Sequence, residues 1–119
     1  MSLRERKLKT YIFDIDGTIC DKDKLDDYDK SYPFLERIRK INSLYDEGNE
    51  IIFFTARGMG RHNNNASLAI RDFYSLTEKQ LKDWGVKHSQ LILGKPSGDL
   101  YIDDKGIKDG DFFANELRS

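Results

Sequence analysis

Polar side chains that could bind a metal ion and a phosphoryl group follow four short apolar runs of this sequence. They comprise four carboxylates, one hydroxyl and one ammonium group: Asp14, Asp16, Thr55, Lys95, Asp103 and Asp104. Burying a carboxylate without a partner is costly, so a chain that ends a buried strand with two of them must neutralise both. The pattern therefore predicts a charged site rather than a set of unrelated turn residues.

The types of these side chains indicate phosphoryl transfer with Mg²⁺. Carboxylates gathered at one edge repel one another unless a cation lies between them, and all-oxygen ligands suit Mg²⁺ better than zinc. Lys95 would add positive charge for the phosphoryl oxygens, and Thr55 would add a hydroxyl donor. Each residue taken alone has an ordinary structural explanation, so the prediction depends on the whole set.

The apolar runs that must position these groups are typical of buried strands. Residues 10–15 carry apolar side chains on both faces, which predicts a strand covered on both sides. The runs EIIFFT, QLILG and DLYIDD predict three further strands, of which the first ends at Thr55. Pro33 opens a helical pattern that Gly48 closes.

The intervening segments predict a flap, a loop and further helices. The charged stretch 21–31 is expected to be a solvated flap, and Asn63 to Asn65 are expected to cap a helix after a Gly- and Asn-rich loop. Thr77 with Gln80 forms a capping-box pattern for another helix that reaches Trp84 and ends at Gly85. The residues from Asp109 predict a short helix or an irregular segment.

Strands that alternate with helices predict parallel pairing, right-handed crossovers and a three-layer α/β sandwich with a mainly parallel, Rossmann-like sheet. The ligand site of such a sheet lies beyond the carboxyl ends of its strands. The 119 residues predict a single domain, 1–119, with little room for a cap.

Composition narrows the class of protein. Charged residues make up 34% of the chain and balance to a net charge of -1, which argues against a primary nucleic-acid binder. The first apolar stretch is only three residues long before Asp14, so neither a signal peptide nor a membrane span is predicted. A single cysteine, Cys20, fits a reducing compartment, and we expect a cytoplasmic protein.

The segments DIDGT, FFTAR, GKP and YIDD resemble, in order, the four motifs of the haloacid dehalogenase-like superfamily, over residues 11 to about 107. The resemblance implies a Rossmann-like core in which Asp14 is a nucleophile that forms an aspartyl-phosphate. It implies that Asp16 is the general acid and then the general base. Gly17 would let the chain turn so that backbone N–H groups face the phosphoryl group.

The same resemblance implies the remaining roles. Thr55 would bond a phosphoryl oxygen, and Lys95 would hold the charge of Asp14 and its adduct. Mg²⁺ would be bound by the Asp14 carboxylate, the Asp16 carbonyl and Asp103, with Asp104 acting through water.

The second Asp sorts the branches of this superfamily. Members that dehalogenate lack Asp at the place of Asp16, and ion-pumping ATPases carry Thr there. Asp16 therefore favours a phosphatase or a phosphotransferase.

The substrate is less well indicated. An open, capless site suggests either a large substrate or an oligomer in which a neighbour covers the site. The segments TARG, QLKDWGV and LILGKPSGDLYIDDK resemble small phosphatases of capsular polysaccharide and sugar metabolism, which implies a phosphorylated sugar or a related small polar metabolite. Arg57 is expected either to contact this substrate or to support the residues that do.

Two alternatives come from other classes of protein. A receiver domain of a response regulator uses similar groups, but its acidic pair comes first and its Lys-Pro last, whereas Lys95 here precedes Asp103 and Asp104. A phosphatase-like domain that binds or scaffolds without turnover would keep the fold but lack a reacting group, and every such position is filled here.

Overall fold

The structure, a computed structural model, describes residues 7–22 and 27–118, without the side chains of 115–118. Its elements follow in the order β1 (Thr10–Phe13), a 3-10 turn (Tyr28–Lys30), α1 (Leu35–Asp46), β2 (Glu50–Thr55), α2 (Ala66–Asp83), β3 (Gln90–Leu93) and α3 (Asp109–Arg118). Strands and helices alternate up to β3, which confirms the predicted α/β class.

The three strands form one parallel sheet in the order β1-β2-β3. Phe13 of β1 lies level with Phe53 of β2, and Phe53 lies level with Leu91 of β3. Because all three strands run the same way, their carboxyl ends lie at one edge of the sheet. β1 is an outer strand, with β2 on one side.

The core lies on the face of the sheet that carries Phe13 and Phe53. Their rings are 5.9 Å apart, and the ring of Phe113 from α3 lies 6.0 Å from that of Phe13. The connections β1-α1-β2 and β2-α2-β3 each lead to the next strand on the same side of the preceding one. Because such crossovers are right-handed, α1 and α2 lie on the same face of the sheet. Ile41 of α1 and Leu81 of α2 are completely buried.

The other face of the sheet is more open than the sequence predicts. Ile12 of β1 is 64% exposed and Ile92 of β3 is 40% exposed, while Ile52 and Phe54 of β2 are partly buried. The prediction that β1 is covered on both sides is therefore wrong, because nothing in the described part of the chain covers Ile12. The third layer of the predicted sandwich is missing over these residues.

The predicted fourth strand, DLYIDD, is not formed. Residues 99–104 have no strand structure, and Leu100 and Ile102 are 79% and 91% exposed. A strand needs a neighbour for its backbone groups, and within one chain this segment has not paired with the sheet. We call residues 96–108 the arm.

The helix signals in the sequence agree with the structure at the end of α1, at the start of α2 and at α3. α1 begins at Leu35, two residues after Pro33, and ends before Gly48. Asn65 caps α2 as predicted, since its side chain accepts a hydrogen bond of 3.2 Å from the N–H of Leu68. From Asp109 the sequence left a short helix or an irregular segment open, and the structure has the helix, α3.

Two local predictions are wrong. Thr77 does not start a new helix, because α2 runs without a break from Ala66 to Asp83 and buries Thr77 in its middle. The stretch 21–31 is not wholly solvated, because Tyr28 is buried, although residues 23–26 lie outside the described part. Within the described ranges, no helix combines the length and the apolar character needed to span a bilayer.

Gly58 offers a test of the packing beneath the loop after β2. Its φ is +79°, and a Cβ there would lie 2.5 Å from Cδ2 of Phe73. We expect Gly58→Ala to lower the free energy of unfolding by about 2–4 kcal/mol, because strain and overpacking add. Gly85→Ala is the matched control, since its φ is +71° but a Cβ would meet nothing within 4 Å. Equal losses in chemical denaturation would contradict this packing.

Candidate functional site

The structure brings the polar groups of three strand ends to one edge of the sheet. Asp14 and Asp16 follow β1, Thr55 ends β2, and Lys95 lies two residues after β3. The N–H of Lys95 donates to the carbonyl oxygen of Thr55 at 3.2 Å, which ties the ends of β2 and β3 together. Asp14, Asp16, Thr55 and Lys95 therefore occupy the region that the sequence predicts for them.

Asp14 carries the electrostatic signature of a site residue. Burial raises the pKa of its carboxyl, and the negative charge of Asp16 raises it further, whereas Lys95 and Lys22 lower it. Asp14 is therefore a half-buried carboxyl group within the electrostatic influence of two ammonium groups. Lys22 was not predicted, since one Lys in a charged stretch gives no signal of its own.

Gly17 shapes the loop that follows Asp14. Its φ is +83°, in the left-handed region that favours glycine, and its N–H donates to the carbonyl oxygen of Cys20 at 2.9 Å. The N–H of Thr18 donates to the Ile15 carbonyl oxygen at 3.0 Å. The predicted turn is present, but the N–H groups of Gly17 and Thr18 bond the chain itself rather than facing a ligand.

Arg57 and Asp16 form a largely buried ion pair that is joined by two hydrogen bonds. Nε of Arg57 donates to Oδ2 of Asp16, and Nη2 donates to Oδ1, each at 3.0 Å. The Arg57 side chain is 0% exposed and that of Asp16 is 16% exposed. Of the two expected roles for Arg57, this geometry supports the positioning of a site residue and not contact with a substrate.

The rest of the Arg57 guanidinium is held by α2 and the 3-10 turn. Nη1 donates to Oε1 of Gln80 at 2.6 Å and to Oγ1 of Thr77 at 3.2 Å. The ring of Tyr28 lies 4.8 Å from the guanidinium carbon. Gln80 Nε2 in turn donates to the carbonyl oxygen of Tyr28. These contacts satisfy a buried cation, which is the condition for keeping it buried.

The sequence contained a signal for this network that the capping-box interpretation missed. Thr77 and Gln80 share the helical face of Phe73 and Leu81, which is the buried face of α2. Two polar residues on a buried face need a polar partner, and Arg57 is that partner. Tyr28 gave no such signal, because it stands among charged residues.

Cys20 lies in the same cluster without acquiring reactivity. Burial and the nearby Asp16 raise the pKa of its thiol to about 12, so the thiol stays protonated at neutral pH. Its Sγ lies 3.5 Å from Oδ1 of Asp16 and can donate to it.

Asp103 and Asp104 are not brought to the site within one chain. Both are exposed on the arm, and Oδ1 of Asp103 accepts a hydrogen bond of 2.6 Å from the N–H of Lys105. Among the described residues, no three acidic, His or Cys side chains come together as metal ligands would. Asp14 and the Asp16 carbonyl alone leave the predicted Mg²⁺ site incomplete, so one chain does not fit the ion.

Comparison with known proteins supports the fold alone. No family model matches the chain, and no curated relative matches it. A solved structure from Vibrio cholerae, determined as a structural-genomics target, is similar with a TM-score of 0.81 and 24% identity, over 93% of this chain and 95% of the other. This chain therefore shares its overall α/β fold with the Vibrio cholerae protein.

The buried ion pair predicts a large stability effect at Arg57. We expect Arg57→Met to lower the free energy of unfolding by about 3–5 kcal/mol, because Asp16 is left without its buried partner. Arg71→Met is the matched control, since Arg71 pairs with Asp72 but its side chain is 65% exposed. The control should lose less than about 1 kcal/mol in urea denaturation. Similar losses would contradict the burial of the pair.

The raised pKa of Asp14 predicts that its carboxylate destabilises the fold at neutral pH. A carboxyl with a raised pKa contributes most stability when protonated, and that contribution is lost as the pH rises through its folded pKa. Asp14→Asn should therefore raise Tm at neutral pH, by an amount that shrinks as the pH falls toward the ordinary value of 3.8. Asp83→Asn, at an exposed i,i+4 pair with Lys79, is the control and should not raise Tm. A pH-independent gain for Asp14→Asn would contradict the prediction.

Proposed function

We propose that the chain is a phosphomonoester hydrolase of the haloacid dehalogenase-like type, with Asp14 as its nucleophile. The observation that carries the proposal is the position of Asp14, which is half-buried beyond the carboxyl end of β1 beside the charge of Lys95. Open parallel sheets bind their ligands at this edge. The ordered motifs of the sequence support the same superfamily.

In the first step, a carboxylate oxygen of Asp14 attacks the phosphorus atom of the ester. The new O–P bond forms an aspartyl-phosphate, and the bond from phosphorus to the alcohol oxygen breaks. The electron pair of that bond leaves with the alcohol oxygen, which takes a proton from Asp16. Lys95 offsets the negative charge that builds up around phosphorus.

In the second step, water hydrolyses the aspartyl-phosphate. Asp16 accepts a proton from the attacking water, and the water oxygen bonds to phosphorus. The bond between phosphorus and the Asp14 oxygen breaks, which releases inorganic phosphate and restores the Asp14 carboxylate. The proton balance closes, because the proton that Asp16 gave to the alcohol is replaced by the proton taken from water. Thr55 can assist in both steps, since its Oγ1 accepts the N–H of Arg57 at 3.1 Å and can donate its own proton to a phosphoryl oxygen.

The hydrogen bonds from Arg57 limit when Asp16 can transfer a proton. Both carboxylate oxygens of Asp16 accept hydrogen bonds from Arg57, so neither oxygen is unengaged in the resting structure. To act as an acid, Asp16 must give up one of the two hydrogen bonds, so this proposal requires its side chain to rotate toward Asp14 during turnover.

The same observation favours a second candidate, a domain that binds phosphoryl groups without turnover. If Asp16 stayed paired with Arg57 at all times, Asp14 and Lys95 would remain for binding but no group would move protons. The two candidates differ in one measurement, which is the release of inorganic phosphate over many turnovers.

The substrate we propose is a phosphorylated sugar or a related small polar metabolite. The support for it is the resemblance of the motif-bearing segments to small sugar-pathway phosphatases. A panel of phosphate esters that includes sugar phosphates, nucleotides and a phosphopeptide tests it, and preference for the phosphopeptide or for nucleic-acid ends would contradict it.

The nucleophile is tested by substitution. With an aryl phosphate or the best ester of the panel, Asp14→Asn should lower kcat by about 10³-fold or more, because the amide cannot form the acyl phosphate. Asp46→Asn is the matched control, since Asp46 is exposed and pairs with Lys87 at the surface. Mass spectrometry of the acid-quenched wild type should detect one phosphoryl group on the peptide that contains Asp14. Equal rates for wild type and Asp14→Asn would overturn the assignment, and phosphate binding with no release would favour the second candidate.

A further inference from the structure

We propose that residues 99–104 of one chain add to β1 of a second copy as a fourth parallel strand, and that α3 is exchanged together with this strand. The exchange would carry Asp103 of each chain to Asp14 of the other, so that two chains share each site. The role of Asp103 rests on the proposed function. The strand exchange itself rests on exposed side chains and on the length of a linker.

Both surfaces that would meet are exposed in a single chain. In the described ranges β1 pairs only with β2, so its other edge is open, and Ile12, on the face that Tyr101 would join, is 64% exposed. On the arm, Leu100 and Ile102 are 79% and 91% exposed, in a run that alternates apolar and polar residues as strands do. An open strand edge is a template for another strand, and an exposed apolar run is a surface in need of a partner.

The linker explains why the chain's own arm does not supply this strand. β3 ends at Leu93 at the carboxyl edge of the sheet, and six residues, 94–99, separate it from Leu100. A parallel strand beside β1 would have to start at the opposite edge, on the far side of β1. Such a crossover takes about a dozen residues. Six residues, which reach about 20 Å when extended, can instead bridge to a neighbouring molecule.

The direction and the register follow from the same residues. For Asp103 to reach Asp14, the added strand must run parallel to β1, with residues 100–103 beside residues 11–14. Leu100 and Ile102 then fall on the face of Phe13, which is the buried face. A slip of one residue would expose both and turn Asp103 away from the side of Asp14. Burial and chemistry therefore select the same register.

The position of α3 is compatible with exchange. In one chain, α3 docks on α1, where Oδ2 of Asp109 accepts a hydrogen bond of 2.8 Å from Arg37 and Phe113 is buried. Strand insertion and this docking cannot both occur within one chain, because of the short linker. In an exchanged pair the docking contacts form between chains and the strand inserts as well, which is how domain swapping gains contacts at low cost.

Light scattering gives the first test. The wild type should have twice the 13.9 kDa mass of one chain. A variant with Leu100→Asp and Ile102→Asp should be monomeric, while Ile70→Asp, at a residue 44% exposed on α2, should stay dimeric. A monomeric wild type, or a dimer that survives both arm substitutions, would overturn the proposal.

Cross-linking gives a test that does not depend on activity. One chain carries Ile12→Cys, a second chain with a fusion tag carries Tyr101→Cys, and the two are refolded together; native Cys20 is buried and stays inert. Mild oxidation should join the two chain types, whereas Ile70→Cys in place of Ile12→Cys should not be joined. A chain that carries both Ile12→Cys and Tyr101→Cys and closes on itself as a monomer would show that its own arm occupies β1, and would overturn the exchange.

Complementation connects the exchange to the site. Asp14→Asn and Asp103→Asn should each be nearly inactive alone, whereas an equal mixture refolded together should regain about one quarter of the wild-type activity, since half of the dimers then hold one intact site. No regain would overturn the shared site while leaving the hydrolase proposal standing. A wild type without activity would contradict the hydrolase proposal and the role of Asp103. The strand exchange would then still be tested by the molecular mass from light scattering and by the cross-linking experiment.

Discussion

The buried ion pair between Arg57 and Asp16 is the constraint on which the rest of the site depends. It joins the loop after β1 to the loop after β2, and through Thr77 and Gln80 it fixes both loops to α2. A guanidinium with 0% exposure cannot lose these partners without a large desolvation cost. The loop that carries Asp14 is therefore held by electrostatics as well as by the apolar core below it.

This constraint makes the two carboxylates of the first motif unequal. Asp16 has its charge satisfied inside the protein, whereas Asp14 has a raised pKa and its nearest cations, Lys95 and Lys22, lie at the edge of the sheet. Asp16 is held by Arg57, whereas Asp14 lies at the sheet edge, where the proposed function puts the phosphoryl group. The proposed chemistry needs Asp16 to give up one of its two hydrogen bonds to Arg57 for part of each cycle, so the strength of that bond would set how readily the acid step occurs.

Local sequence patterns predicted what depends on neighbouring residues. Gly48 and Asn65 mark the end of α1 and the start of α2, because caps act through contacts within one turn. The alternation of strands and helices predicted the parallel order, and with it the meeting of Asp14, Thr55 and Lys95 at one edge. Patterns failed where a partner lies far away in the chain: Thr77 and Gln80 have the spacing of a capping box, but a distant buried Arg makes them interior residues.

The sequence by itself determined the α/β class, the strand ends that carry the polar groups and the motif order, because strand period, helix caps and turn residues are read over short windows. Only the tertiary structure decided that Arg57 is buried against Asp16, since the two residues lie 41 positions apart. It also decided that DLYIDD stays outside the sheet, although its pattern is that of a strand. The pattern of a segment indicates that it can form a strand. The length of the preceding linker determines whether that strand can reach the edge of the sheet within its own chain.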